Sequence, residues 1–101
     1  MTMIKICNKK DVPAQGMKGF TINGEKVFVA SVNGSFYVNS SKCTHQGADM
    51  EDGMLEGNIA MCPWHGAQFD VKTGSNLSPP APSPLKHFKS ELRGEEIWID
   101  V

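Results

Sequence analysis

No stretch of ten residues in this sequence carries convincing helical periodicity, so the fold is expected to be mainly β. No apolar run approaches the ~20 residues that a helix needs to span a bilayer, which gives no support to a membrane protein. The N-terminal MTMIKICNKK lacks the apolar h-region and small-residue cleavage site of a secretory signal. A cytoplasmic protein is therefore expected. No block of like charge occurs, and a net charge of −1 offers no electrostatic reason to invoke nucleic acid or an anionic membrane as partner. Repeats of solenoid period and Gly-rich nucleotide fingerprints are also missing. Cysteine is scarce and odd in number, at three, which argues against a secreted disulfide framework and makes metal binding the better reading of two of them.

What is present fits one soluble globular domain of 101 residues, 40% hydrophobic and 21% charged, with a single core. Turn signals recur at short intervals: Asn23-Gly24, Asn33-Gly34 and Arg93-Gly94. Between them lie segments rich in β-branched and aromatic residues: MIKIC (3–7), GFTI (19–22), KVFVASV (26–32), SFYVN (35–39), LKHFKSEL (85–92) and EEIWIDV (95–101). In the last, Ile97, Ile99 and Val101 alternate with Trp98 and Asp100, the period of a two-faced strand. The expected architecture is all-β, with antiparallel sheets packed as a sandwich or barrel.

From about Lys42 to Pro84 the texture changes. All but one of the prolines fall here, and only two short strands are expected, GNIAM (57–61) and AQFDV (67–71). The stretch reads as a loop-rich subdomain inserted in a larger β framework. Its SPPAPSP segment (78–84) lacks a backbone donor at four positions and favours polyproline II, as a stiff cover would.

Cys43 and His45 form CTH; Cys62 and His65 form CPWH, with 16 residues between His45 and Cys62. Four soft or borderline ligands on two loops are a metal-site signature. Structural zinc motifs usually pair like ligands within a loop, whereas each loop here supplies one thiol and one imidazole. Such mixed loops suit a two-metal cluster, because one loop can reach both metals. Two blander readings are a structural zinc site and a Cys62–His65 nucleophile and base; the twin motif at Cys43 weakens the latter.

With Cys-x-His, a spacer of this length and Cys-x-x-His, the sequence resembles the Rieske family of iron-sulfur proteins. ICNKKDVPAQG (6–16) is similar to the start of a Rieske ferredoxin, CTHQGADMEDGMLEG (43–57) to its first cluster loop, CPWHGAQFDVKTG (62–74) to its second, and PPAP (79–82) to its proline loop. The resemblance implies a single Rieske domain over 1–101, an antiparallel β-sandwich with a cluster-binding subdomain at about 42–84. It implies one [2Fe-2S] cluster, with Cys43 and Cys62 on the inner iron and His45 and His65 on the outer, solvent-side iron. Two ferric ions, two sulfides and two thiolates sum to zero charge, where a four-cysteine cluster carries −2. Reduction is correspondingly easier, and family potentials run from roughly −150 to +300 mV.

High-potential members add a disulfide between the cluster loops and hydroxyl donors to cluster sulfur. The corresponding positions here resemble Ala48, Trp64, Ala67 and Phe69, none of which can supply either. A potential near the low end, about −150 mV, is expected. The pattern resembles the soluble ferredoxins of ring-hydroxylating oxygenases. It implies a monomeric one-electron carrier that catalyses nothing alone, takes electrons from a flavoprotein reductase oxidising NAD(P)H, and passes them to a terminal oxygenase. The alternative is a small Rieske subunit fixed in a reductase complex such as a nitrite reductase. Gln46, Trp64 and Pro80 are the candidates for an apolar rim at the electron exit. Cys7 reads as a small buried hydrophobe, His87 as an exposed histidine without a partner motif, and the methionines as core filler.

Overall fold

A computed structural model describes residues 2–42, 49–63, 66–77 and 83–101. Among these residues ten strands run in the order β1 (Met3–Asn8), β2 (Met17–Ile22), β3 (Glu25–Val32), β4 (Ser35–Ser40), β5 (Met54–Glu56), β6 (Ile59–Met61), β7 (Gln68–Asp70), β8 (His87–Phe88), β9 (Ser90–Arg93) and β10 (Glu96–Asp100). Among the described residues the only helical pieces are two 3-10 turns, Lys9–Asp11 and Met50–Asp52. Pairing is antiparallel throughout, in three sheets ordered β1-β10-β9, β2-β3-β4-β8 and β5-β6-β7.

The all-β expectation holds, and the first two turns form as read. Asn23-Gly24 and Asn33-Gly34 both adopt positive φ at both positions, the geometry of a tight type I′ hairpin. The third turn shifts by one residue. Arg93 pairs with Glu96, so the connection is Gly94-Glu95, with positive φ at Gly94 alone. LKHFKSEL is also not one strand. Phe88 pairs with Val38 in the four-stranded sheet, whereas Ser90 pairs with Ile99 in another. The chain changes sheets at Lys89, whose carbonyl accepts from Asp100 N at 2.9 Å. A continuous β-favouring run thus turns a corner between layers. The three-residue strand β5 carries too short a pattern to be read from sequence.

Strand β3 holds the layers together because it is buried on both faces. Phe28, Ala30 and Val32 point to one core, with Met50, Ala60, Cys62, Ala67, Phe69, Val71 and Leu85. Val27 and Val29 point to the other, with Cys7, Val12, Val38, Phe88, Ile97 and Ile99. The period of two divides one apolar run between two cores. The four-stranded sheet is therefore a middle layer, with the terminal strands on one side and the small β5-β6-β7 sheet on the other. Cys7 is buried as expected, 6% exposed, and burial pushes its thiol up to about 11.

Candidate metal centre

The first motif is carried on a segment whose two ends meet. Lys42 and Asp49, which flank it, form an antiparallel bridge. An ion-pair network ties that bridge down: Asp49 lies 3.0 Å from Lys42 and 2.7 Å from Lys26, and Lys26 reaches Glu51 at 3.1 Å. Ser41 Oγ donates to Glu51, Ser41 N donates to Lys26 O, and Met50 N donates to Ser41 O. Gly19 on β2 makes room for the Glu51 carboxylate, because a Cβ there would overlap Oε2. The hydrogen bonds from Lys26 and then Lys42 hold the Asp49 carboxyl below the usual carboxylate range. Those to Asp49 and then Glu51 raise the Lys26 ammonium above its ordinary value.

The second motif sits in the β6–β7 hairpin. Met61 pairs with Gln68, and Cys62 N donates to Ala67 O at 2.7 Å, which closes a loop over residues 62–67. Gly66 takes φ +71, a conformation that a side chain would strain. Cys62 is 3% exposed, in the same core as Ala67, Phe69 and Met50.

Gly53 brings the two motifs together. A Cβ there would overlap the carbonyl oxygen of Met61 and stand 3.2 Å from Pro63 Cδ, so the chain leaving the first segment lies directly on the start of the second loop. Its φ of −91° is open to any residue, so close approach is what selects glycine.

Beyond β7 the chain turns back on itself. Gly74 N donates to Asp70 O at 2.6 Å, Asp70 N donates to Ser75 O at 2.9 Å, and Leu77 N donates to Gln68 O at 2.8 Å. Leu77 therefore lies beside the end of the second loop. Fully buried Asn39 fixes this turn to the middle sheet. Its amide donates to Val71 O at 2.9 Å, and its oxygen lies 2.9 Å from His87 Nδ1, which must be the donor. His87 is exposed as expected but has a partner, Asn39, that no motif signals. Desolvation lowers its pKa, opposed by Asp70.

Of the four candidate ligands, Cys62 is among the described residues. Cys43, His45 and His65 lie outside them, as do Gln46, Ala48, Trp64 and Pro79–Pro82. The described surroundings fit a cluster: a buried cysteine closes one loop, and the neck of the other is packed against it. Sequence reasoning missed Lys26, Ser41, Glu51, Gly53 and Asn39. Their roles depend on partners 8 to 48 residues away, a spacing that no local pattern marks.

A β framework that packs the two Cys/His loops against each other suits an iron-sulfur protein. The chain belongs to the Rieske [2Fe-2S] domain family, whose model matches residues 2–89. Its cofactor is accordingly one Rieske [2Fe-2S] cluster. It is 34% identical over 91 residues to the ferredoxin component of a naphthalene 1,2-dioxygenase system of Pseudomonas aeruginosa, covering 90% of this chain and 88% of that one. It is 32% identical over 101 residues to the ferredoxin component of a biphenyl 2,3-dioxygenase of Rhodococcus jostii (strain RHA1), covering 100% and 94%. Among solved structures, a complex of reduced oxygenase and oxidized ferredoxin in carbazole 1,9a-dioxygenase contains a chain similar at a TM-score of 0.89. The two are 31% identical, over 96% of this chain and 91% of that one.

Proposed function

We propose that this chain is the ferredoxin of a ring-hydroxylating oxygenase system, a cytoplasmic monomer that takes one electron from a flavoprotein reductase and delivers it to a terminal oxygenase. Residues 1–101 make a single domain, and about 42–84 form its cluster-binding subdomain. Cys43 and Cys62 bind the inner iron; His45 and His65 bind the outer iron. When bound, the cluster would supply one reversible electron. The chain's own part is to hold the loops. The Lys42–Asp49 neck and the Cys62–Ala67 closure fix where each ligand pair leaves the frame, and the core around Cys62 excludes water from the thiolate side.

The observation that carries this reading is Gly53 seated on Met61 and Pro63, which packs the exit of the first motif against the start of the second. The similarity to two dioxygenase ferredoxin components supports the choice of partners. The test is reconstitution. The protein, mixed with NADH, a ferredoxin reductase and an aromatic-ring dioxygenase, should support product formation that stops when it is omitted, and it should elute alone as a monomer. Permanent co-elution with a reductase from its native host would instead indicate a fixed subunit.

A further inference from the structure

The outer face of the small sheet is apolar at its centre and acidic around it. Met54 pairs with Met61 and Met61 with Gln68; Glu56 pairs with Ile59 and Ile59 with Asp70. Cross-strand partners share a face, and Leu55, Ala60 and Phe69 take the other one, in the core. Met54, Met61, Ile59, Glu56 and Gln68 accordingly line one shallow depression. Met54 is 66% exposed, the most exposed large apolar side chain among the described residues. The depression continues into a second one that Met54 and Met61 share with Asp52, Cys62, Pro63 and Gly66, so the face runs up to the second cluster loop.

Charge identifies what could cover this face. Residues 49–77 carry five carboxylates against one cation, Lys72. Asp49 and Glu51 are neutralised at the neck by Lys26 and Lys42. Asp52 and Glu56 make no ion pair among the described residues, and each lines one of the depressions that hold the methionines. A second copy would set these carboxylates against themselves, and nucleic acid or an anionic membrane would be repelled. Methionine is enriched at interface centres, and a patch this small suits brief complexes.

We propose that the outer face of β5-β6-β7, centred on Met54 and Met61 and bordered by Asp52 and Glu56, is a docking surface for an electron-accepting protein whose own contact site is an apolar patch ringed by lysine or arginine. The proposal rests on the electron-carrier reading above and adds a side face to the exit at the cluster tip.

Ferricytochrome c, with its exposed apolar haem edge ringed by lysines, supplies this chemistry as a probe. Two readouts are used: the Kd of the two oxidised proteins by calorimetry at low salt, and the rate at which dithionite-reduced protein, freed of excess reductant, passes one electron to the ferric haem. Met54→Thr should weaken both by about threefold. Asp52→Lys with Glu56→Lys should weaken both by about tenfold and flatten their salt dependence. Glu91→Lys with Glu95→Lys, an equal charge change on the opposite layer, should leave both within about twofold. Unchanged visible spectra and iron content would show that the variants keep the cluster. Equal losses in the two lysine pairs, no loss in either, or no measurable binding by the unaltered protein would overturn the proposal. So would a dimer that Met54→Thr dissolves, since a second copy would then be the occupant. Failure of the electron-carrier reading would look different: a colourless protein that binds cytochrome c and never reduces it.

Discussion

Replacing Gly53 by alanine tests how the two motifs are held together. The added methyl would overlap Met61 O, stand 3.0 Å from Met61 C and lie 3.2 Å from Pro63 Cδ. Two of these three atoms are backbone, and the third belongs to a rigid ring, so nothing can swing aside. To reach ordinary contact the segments must part by more than about 1 Å. Overpacking commonly costs 1–3 kcal/mol, and a contact with backbone belongs at the upper end, about 3 kcal/mol. In a domain of this size each kcal/mol moves Tm by roughly 4–8 °C, so a fall of about 12–24 °C is expected. Cluster occupancy should fall as well, because the same shift separates the loops. Thermal unfolding followed by circular dichroism, with iron counted on the same preparation, reads both. Gly24→Ala is the control: its Cβ would meet nothing within 4 Å, and its φ of +81° should cost only about 1 kcal/mol with full iron retained. A Gly53→Ala protein with unchanged Tm and iron content would refute the close packing of the two motifs.

Asn39→Ala strips a buried donor from Val71 O and should cost about 2 kcal/mol, seen as a lower midpoint in urea unfolding. Ala67→Ser should raise the midpoint potential by about 40 mV in a spectroelectrochemical titration, the equivalent of one ~1 kcal/mol hydrogen bond favouring the reduced cluster. Because the Asp49 pKa is depressed, its stabilisation is complete above the ordinary carboxylate range and is lost as pH falls through its lowered value. Lys26→Met should therefore lower Tm at pH 7 and shrink the acid-side decline in a Tm series over pH. The His87 pKa is lowered, so the folded state binds its proton less readily and stability rises with pH up to about 6.5; His87→Gln should flatten that rise in the same series.

The framework was legible where one strand follows one local pattern. Asn-Gly turns, β-branched runs and the Ile97-Ile99 alternation each signal an element without help from the rest of the chain. LKHFKSEL misled because the same residues favour a strand on either side of Lys89, and only the packing of two sheets puts a corner there. Arg93 joined β9 because its pairing with Glu96 decides the register, which dipeptide chemistry alone cannot. At the site, the Cys/His spacing and the family resemblance identified candidate ligands. The groups that support them were invisible because Lys26, Gly53 and Asn39 act through tertiary neighbours. The methionines expected as core filler divide: Met50 is fully buried, whereas Met54 lies outside on β5, a strand that the sequence did not reveal.

The most direct test of the central claim is the visible absorption and EPR spectrum of the purified protein before and after dithionite, with iron and sulfide counted on the same sample. Two irons and two sulfides per chain, a red-brown colour that bleaches, and a reduced-state signal of low average g are the predicted result, with a midpoint potential near about −150 mV. A colourless protein holding one zinc and giving no reduced-state signal would contradict the account.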